Sequence, residues 1–431
     1  MSERQPDKRT DKAETPGAAE VPASRRARRL AMLGALGPGL VSALAGTDAG
    51  GIATFSSAGA KLGFAMMWSV PFTCVLLIVV QETASRMGCA TGKGFASLVR
   101  EQFGIRISAV AMLATVITNC SVMLSEFAGI AQGAALFDIP SYLCVPVAAV
   151  TVWLITMSGS YGRVEKILLL ISCVFFAYVV AGVLSDPDWA AAGIATVVPH
   201  LSADPSYISL LVANIGTTIS PYMIYMVSSS VVEKNLDASD IPGQRLDNVL
   251  GCILSQAVSW FILLTTATVL FPQGIEVTTA ADAALALVPF AGSYAMALFA
   301  VGLIGASLLA ACALPSITAS AVCEAFGWER GADRTWREAP VYRGIITFIT
   351  FFSAAICLIP NIDLFGVTML AQIVNGVILP VLLVCMVKIA GDRHVMGDYA
   401  NGAVYTALTW VTIALVVVLT VMMVVFSLMG V

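Results

Sequence analysis

Apolar residues along the chain form long runs that are separated by short polar connections. A hydropathy window of about 19 residues predicts eleven membrane-spanning helices, since about 20 apolar residues are needed to cross a bilayer. The predicted spans are residues 31–59, 64–86, 107–135, 141–158, 166–185, 207–230, 249–271, 293–322, 342–360, 364–389 and 404–429. Two connections, residues 186–205 and 272–289, are long enough to hold a short interfacial helix. The pattern therefore predicts an all-α polytopic membrane protein.

The first predicted span is interrupted by the segment Gly46-Thr47-Asp48-Ala49-Gly50-Gly51. A carboxylate at membrane depth costs at least about 2.5–3.5 kcal/mol on insertion scales, and each glycine weakens a helix by about 1 kcal/mol. The combination predicts a broken helix whose free carbonyl groups, together with the Asp48 carboxylate, face a water-filled cavity. Oxygen ligands and one negative charge at a helix break indicate a cation site. The alternative is a kinked helix in which Asp48 pairs with a buried polar group.

The sixth predicted span contains a second interruption, around Gly216, Ser220 and Pro221. Proline cannot donate a backbone hydrogen bond and clashes with the preceding turn. The two interruptions lie five spans apart, and because five is odd the two halves would have opposite orientations. This arrangement indicates a secondary transporter made of inverted repeats, with its substrate site at the two breaks. The predicted organisation is a disordered cytoplasmic tail (1–29), a first repeat of five spans (30–206), a second repeat of five spans (207–390) and an eleventh span (391–431).

Composition and charge agree with this class of protein. The chain is 58% hydrophobic and 12% charged, whereas soluble proteins carry about 25% charged residues. Every Lys and Arg except Lys61 falls in the N-terminal segment or in a connection on the same predicted side of the membrane. By the positive-inside rule, this asymmetry predicts a multi-pass protein of the plasma or inner membrane, with a cytoplasmic N-terminus and an outer C-terminus.

The sequence gives no indication of enzymatic activity, since it contains no soluble catalytic domain and no metalloprotease or nucleophile-elbow motif. The 10 cysteines include no C-x-x-C pair and lie mostly in apolar runs, so they are expected as small buried residues. No cofactor is expected. The expected partners are the transported ion and the lipid bilayer, without nucleic acid, and a monomeric state is compatible with the sequence.

A few other polar residues lie within predicted spans. Glu126 is in the third span, and Gln372 and Asn375 are in the tenth, one helical turn apart and therefore on one face. Glu126 either pairs with a backbone or serine partner or takes part in transport. Gln372 and Asn375 either line the substrate site or join helices by hydrogen bonds.

These residues resemble the motifs of the NRAMP family of divalent-metal transporters, in the family's order and spacing over about residues 30–430. The segments that carry the resemblance are Gly37-Pro38-Gly39, Asp48-Ala49-Gly50-Gly51-Ile52-Ala53-Thr54, Gln81 to Arg100, Ser220-Pro221-Tyr222 with Tyr225 and Ser228-Ser229, and Gln372-Ile373-Val374 with Leu379-Pro380. The resemblance implies a LeuT-type fold with 5+5 inverted repeats plus an eleventh helix. It also implies proton-coupled uptake of Mn²⁺ or Fe²⁺.

The chain departs from the family at positions that bind metal or carry protons, although Asp48 retains the family's aspartate. The family's asparagine ligand, methionine ligand, helix-six histidine, helix-three aspartate and helix-nine arginine correspond here to Gly51, Ser220, Tyr222, Met123 and Phe348. The pattern is most similar to the NRAMP-related magnesium transporter branch, whose members keep the aspartate and lose the methionine and asparagine.

These departures favour a hard, hydrated ion over a transition metal. A thioether selects soft ions, so a serine in its place removes that selection, and the glycine widens the site. Mg²⁺ dehydrates reluctantly and keeps several waters, which would bridge to oxygen and amide groups. The residues expected around the ion are Asp48, Ala45, Gly51, Thr217, Ser220 and Gln372, with Glu126, Tyr222 and Asn375 as supporting or pathway residues.

The resulting hypothesis is an importer of divalent cations, Mg²⁺ as a hydrated ion and Mn²⁺, that works as a uniporter without proton coupling. One alternative is a proton-coupled Mn²⁺ or Fe²⁺ transporter of the NRAMP type. Another is a carrier of organic substrates, because the fold serves those substrates too.

Overall fold

Helices make up the regular structure in the computed structural model, which describes residues 48–159 and 173–429. Most helices are long and apolar, and short helices fill several connections. In chain order the α-helices are α1 (Ala49–Leu62), α2 (Ser69–Thr91), α3 (Phe95–Ala135), α4 (Ser141–Met157), α5 (Ala177–Leu184), α6 (Trp189–Val197), α7 (Pro205–Thr218), α8 (Pro221–Glu233), α9 (Ile241–Val269), α10 (Ala280–Leu285), α11 (Val288–Ala291), α12 (Ala295–Phe326), α13 (Pro340–Cys357), α14 (Leu364–Gly391), α15 (Arg393–Met396) and α16 (Ala403–Met429).

Eight helical stretches among the described residues are long and apolar enough to cross a membrane, with α7 and α8 forming one stretch. They correspond to the second, third and sixth to eleventh predicted spans. Helix α4 and the segment Val174–Leu184 are shorter apolar helices at the positions of the fourth and fifth spans. The N-terminal tail, the first half of span one with Ala45, and the beginning of span five lie outside the described residues.

Helix α3 begins at Phe95 instead of residue 107, so the sequence prediction missed its first turns. The missed segment contains charged residues, which lower the mean hydropathy below that of a membrane span. Gly104 separates it from the apolar part, with φ 74° and ψ −179° inside the helix. Such a backbone conformation is readily available only to glycine. The chain thus makes a glycine kink where a polar helical segment meets the apolar span.

Helix α9 also begins earlier than predicted, at Ile241 instead of residue 249. Its first turns contain Gln244, Asp247 and Asn248, each at most 1% exposed. A hydropathy window scores such residues as if they were in water, although here they face the interior of a helical bundle. Helix α2 begins later than predicted, at Ser69 instead of residue 64. The cause is a short 3₁₀ helix that begins at Gly63 (φ 56°) and precedes α2.

The centre of the bundle is built on glycines that allow backbones to approach. An added Cβ at Gly216 of α7 would lie 2.1 Å from the Gln372 carbonyl oxygen of α14. A Cβ at Gly59 of α1 would lie 2.5 Å from the Leu263 carbonyl oxygen of α9. In α3, a Cβ at Gly129 would lie 2.5 Å from the Ala49 Cβ. These contacts bring the start of α1 against α3, the end of α1 against α9, and α7 against α14.

A buried carboxylate joins three helical segments at one end of the bundle. Glu82 of α2 is 1% exposed and accepts from Arg86 Nε at 3.1 Å and from Arg245 Nη2 of α9 at 2.7 Å. The Arg86 guanidinium also donates to Asn401 Oδ1, just before α16, and lies 5.5 Å from the Tyr405 ring centroid. One acidic side chain therefore connects α2, α9 and the beginning of α16.

The two long connections contain short helices, as the sequence predicted. The connection at residues 186–205 holds α6, which Asp188 caps by accepting from the amide groups of Ala190 and Ala191. The connection at residues 272–289 holds α10, which begins with a capping box formed by Thr279 and Asp282. Both predictions of short helices are confirmed.

Candidate functional site

The predicted break in the sixth span is present between α7 and α8. Helix α7 ends at Thr218, Ile219 has the non-helical angles φ −115° and ψ 70°, and Ser220 is extended. Pro221 then occupies the first position of α8, where its missing N–H costs nothing. The Ser220 hydroxyl donates to the Gly216 carbonyl oxygen at 3.2 Å and stays within the break. The break thus presents a serine and free peptide groups in the middle of the bundle.

Asp48 stands at the beginning of α1, and because the residues before it lie outside the described part of the chain, the predicted break in span one stays a prediction. It adopts extended backbone angles and caps the helix, with Oδ1 accepting from the Gly51 amide at 2.8 Å. Its side chain is buried, at 1% exposure. Gly51, proposed from the sequence as a ligand position, therefore contributes its N–H to orienting the carboxylate.

Glu126 brings a second carboxyl group to the same helix start. It lies on α3, is fully buried, and its Oε2 accepts from the Ala49 amide at 3.4 Å. The two carboxyl groups therefore accept hydrogen bonds from neighbouring amides of one helix start, Gly51 for Asp48 and Ala49 for Glu126. Asp48 Oδ2 and Glu126 Oε1 are both buried without a hydrogen-bond donor. A helix N-terminus favours negative charge, but two unpaired buried carboxylate oxygens call for a positively charged partner or a proton.

A chain of weak polar contacts connects this carboxyl pair to the break between α7 and α8. Gln372 of α14 lies directly against Gly50, where an added Cβ would be 1.8 Å from its Nε2. Its Nε2 is 3.5 Å from Ser125 Oγ, and its Oε1 accepts from Asn375 Nδ2 at 3.4 Å. Asn375 Nδ2 is also 3.5 Å from Ser220 Oγ. These distances are at the long limit for hydrogen bonds, so the groups can exchange partners at little cost.

Two further buried oxygens at the site have no hydrogen-bond partner, Thr217 Oγ1 and Asn375 Oδ1. Buried polar atoms are nearly always paired in proteins, so each exception needs an explanation. Together with the two carboxylate oxygens they give four unpartnered acceptors, two at the start of α1 and two beside the break between α7 and α8. Carboxylate, hydroxyl and amide oxygens are the ligands that hard cations such as Mg²⁺ and Mn²⁺ use.

The cavity next to the start of α1 is small in this conformation. A cavity of about 10 Å³ lies beside Ala49, bordered by Phe299 and Phe365 among others. One water molecule needs about 10–15 Å³, so this space holds at most one. The wide water-filled cavity expected from the sequence is therefore not found beside Ala49. Close packing takes its place, because Gly50 and Gly129 allow neighbouring side chains to approach the start of α1.

The structure brings together most of the residues that the sequence singled out. The residues that are buried around the start of α1 and the break between α7 and α8 are Asp48, Gly51, Glu126, Thr217, Ser220, Tyr222, Gln372 and Asn375. Ala45 lies outside the described residues. The sequence reasoning missed Ser125, beside Gln372, and Ser307 of α12, whose Oγ would be 2.5 Å from a Cβ at Gly129. Both are isolated hydroxyls in apolar spans, which is a weak signal.

Among the described residues, no group of three or more His, Cys, Asp and Glu side chains is arranged to hold a metal ion. The candidate site instead combines two carboxyl groups with hydroxyl and amide side chains. Because hydroxyl and amide groups are uncharged, such a mixed site suits an ion that is bound and then released.

Residues 39–426 match the family described as natural resistance-associated macrophage protein-like, or Nramp. Relatives named divalent metal cation transporter MntH include one from Granulibacter bethesdensis, 23% identical over 85% of this chain and 82% of its own length. Another, from Bacillus subtilis, is 24% identical over 90% of this chain and 91% of its own length.

Solved structures show the fold. A manganese transporter from Eremococcus coleocola, crystallised with an aromatic bis-isothiourea compound, has a TM-score of 0.72 at 19% identity and covers 96% of this chain and 89% of its own. MhsT in complex with L-phenylalanine has a TM-score of 0.55 at 14% identity, covering 90% of this chain and 97% of its own. The expected LeuT-type fold is confirmed by these likenesses.

Proposed function

Because the chain belongs to the Nramp family, whose members are membrane transporters and not enzymes, we propose that it imports divalent cations, Mg²⁺ as a hydrated ion and also Mn²⁺, without proton coupling. The relatives described above are named divalent metal cation transporters, and the solved neighbour from Eremococcus coleocola is named a manganese transporter. The observation that carries the proposal is the group of four buried, unpartnered oxygens at the start of α1 and at the break between α7 and α8.

The preference for Mg²⁺ rests on the donor atoms. Ser220 provides a hydroxyl at the position where the family resemblance places a methionine, and Gln372 and Asn375 provide amides. A site without a thioether loses its selection for soft transition metals, while its oxygen atoms still accept Mn²⁺. The long contacts among Ser220, Asn375 and Gln372 break easily, so the site can widen when the helices move and admit a hydrated ion.

The membrane potential supplies enough energy for such an importer. Each elementary charge crossing 100 mV gains about 2.3 kcal/mol, so a divalent ion gains about 4.6 kcal/mol. This corresponds to accumulation on the order of a thousandfold. Transport needs no proton gradient at that scale.

The test uses proteoliposomes that contain a Mg²⁺-sensitive dye, with a pH dye in a parallel set. We expect saturable Mg²⁺ entry that responds to an imposed potential without acidification of the lumen. Asp48→Asn should abolish this entry, whereas Asp186→Asn, an exposed aspartate in an outer connection, should leave it unchanged. Unchanged Mg²⁺ entry in Asp48→Asn would refute the site.

A proton-coupled Mn²⁺ transporter is the second candidate, and the position of Glu126 favours it. This residue places a second carboxyl group beside Asp48, where it could hold a proton. On that reading, Mn²⁺ entry acidifies the lumen, and Glu126→Gln uncouples or stops both fluxes. Mn²⁺ entry with acidification and without Mg²⁺ flux would replace the first proposal by this one.

We further propose the membrane placement that the sequence predicts. The N-terminus would be cytoplasmic and the C-terminus outside, in the plasma or inner membrane, with residues 30–206 and 207–390 as the two inverted repeats. Labelling of single cysteines introduced in the α6 connection and in the α12–α13 connection of intact cells tests this orientation. We expect labelling in the α6 connection only. Labelling in the α12–α13 connection only would indicate the opposite orientation.

A further inference from the structure

A cavity between α8 and α12 is lined by hydroxyl groups. It has a volume of about 500 Å³. On α8, Ser229 and Ser230 face it together with Glu233, and on α12, Ser316 and Ser320 face it. Residues three or four positions apart share one face of a helix, so each helix turns a single hydroxyl-bearing stripe towards the cavity.

Tyr342 of α13 adds a phenolic hydroxyl to the same lining. Its ring is buried, and its hydroxyl lies within hydrogen-bond reach of Ser316 and Ser320. Three hydroxyl groups thus meet on the α12–α13 side, opposite the two serines of α8. Hydroxyl groups can both donate to and accept from water molecules, so this lining suits a hydrated ion better than a bare one.

The cavity starts close to the candidate ion site. Met226 lines the near end of the cavity. It lies roughly 9 Å from Ser220 along the axis of α8, at a rise of about 1.5 Å per residue. Cys312 lies roughly 8 Å from Ser307 along the axis of α12, calculated from the same helical rise. Ser307 in turn packs at Gly129 beside the start of α1. Both helices therefore lead from the oxygen cluster to the cavity.

The described lining of the cavity carries one unbalanced negative charge. Arg330 also borders it, but its Nη1 lies 2.6 Å from Glu324 Oε2, so that pair is neutral. Glu233 is exposed at the far end of α8 and forms no ion pair with the other described residues. A carboxylate at the mouth of a cavity raises the local concentration of cations.

The size of the cavity also fits a hydrated ion. Since a water molecule occupies about 30 Å³ in the liquid, the cavity holds about 15 of them. A divalent ion with six waters takes up about 180 Å³ on the same scale. The space beside Ala49, at about 10 Å³, accepts no such ion in this conformation.

We propose that this cavity is a second, low-affinity site for a hydrated divalent cation. The serine and tyrosine hydroxyls hydrogen-bond the ion's water shell, and Glu233 supplies the charge. This inference rests on the proposed function, because it assigns the cavity to the same ion. An ion that leaves the oxygen cluster would regain its waters here before reaching the solution.

The test measures binding of Mn²⁺ to the purified protein, followed by the electron paramagnetic resonance signal of the free ion. Wild-type protein should show a tight and a weak class of sites, and Asp48→Asn should keep only the weak class. In the Asp48→Asn background, Glu233→Gln should weaken the remaining binding about fivefold. A screened divalent ion about 5 Å from one carboxylate in water is enriched by roughly that factor.

Two further variants distinguish this site from general surface binding. Glu329→Gln removes a charge from the exposed connection after α12 and is not part of the lining, so it should not change weak binding. Glu233→Asp should restore most of the affinity. Tyr342→Phe with Ser316→Ala should weaken binding to a similar extent as Glu233→Gln, with normal elution on size exclusion as evidence of folding.

Weak Mn²⁺ binding that is equal in Asp48→Asn with and without Glu233→Gln would overturn the inference. So would an equal loss in Glu329→Gln. A different result, unchanged Mg²⁺ entry in Asp48→Asn proteoliposomes, would refute the proposed function. Failure of the inference and failure of the proposed function are therefore distinguishable.

Discussion

Replacing Gly216 by alanine tests whether the contact between α7 and α14 sets the geometry of the ion site. Gly216 lies just before Thr217 and the break, at the point where α7 meets the backbone of α14. An added Cβ would be 2.1 Å from the Gln372 carbonyl oxygen and 2.5 Å from the Gly376 amide nitrogen. Both neighbours are backbone atoms, which cannot rotate out of the way.

The size of the effect follows from these distances. Ordinary contacts of a Cβ begin at 3.4 Å, so the two helices must separate by about 1.3 Å at this point. Overpacking of a core typically costs about 1–3 kcal/mol. For a chain of 431 residues that corresponds to a decrease in Tm of about 1–3 °C, from an unfolding entropy of about 2.1 cal/mol/K per residue.

Transport should suffer more than stability. A hydrogen bond to a bridging water is about 2.8 Å long, so a separation of about 1.3 Å prevents Thr217 and Gln372 from both holding the water shell of one ion. We expect the KM for divalent-ion entry to rise at least tenfold. Proteoliposome flux gives KM, and thermal unfolding in detergent followed by intrinsic fluorescence gives Tm.

Gly344→Ala in α13 is the matched control, because nothing lies within 4 Å of its added Cβ. Replacing a helical glycine in open space leaves stability unchanged or raises it by about 0.4–1 kcal/mol. A Gly216→Ala protein with the KM and Tm of the wild type would refute the reasoning. An equal loss in Gly344→Ala would show that the effect is not specific to the α7–α14 contact.

Four other substitutions separate side-chain from backbone effects. Gly50→Ala meets the flexible end of Gln372 at 1.8 Å, so we expect KM to rise while Tm stays within about 1 °C of wild type, measured as above. Glu82→Gln leaves two guanidinium groups without their buried partner, so Tm should fall by about 3–5 °C, whereas Arg245→Gln should cost less because that side chain is 51% exposed. Gly104→Ala forces a non-glycine residue to φ 74° in open space, which costs about 1–3 kcal/mol and should lower Tm accordingly.

The sequence was most informative where local chemistry decides the backbone. Pro221 predicted the interruption between α7 and α8, because proline acts on its own turn and needs no partner. In the same way, the helical spacing of Gln372 and Asn375 predicted that they share one face, and in the structure their side chains contact each other. These features are set within a few residues of chain.

Features that depend on distant segments were beyond the sequence. Helix α9 starts early because polar residues such as Asn248 are covered by other helices, which a hydropathy window cannot register. Ser125 and Ser307 join the site only through contacts with Gln372 and Gly129, on helices far away in the chain. Likewise, the small size of the cavity beside Ala49 results from the packing of five helices. A linear pattern does not contain such distances.

The carboxylate of Glu82 has a consequence for the order in which the protein is made. Arg86, which it holds within α2, also bonds Asn401, a residue 315 positions later in the chain. At a synthesis rate of about 5–20 residues per second, roughly 15–60 seconds pass between the two residues. During that time Glu82 alone neutralises the guanidinium, and Arg245 arrives before the last partner does. The contact between Arg86 and Asn401 therefore forms later in synthesis than the contact between Glu82 and Arg245 can form.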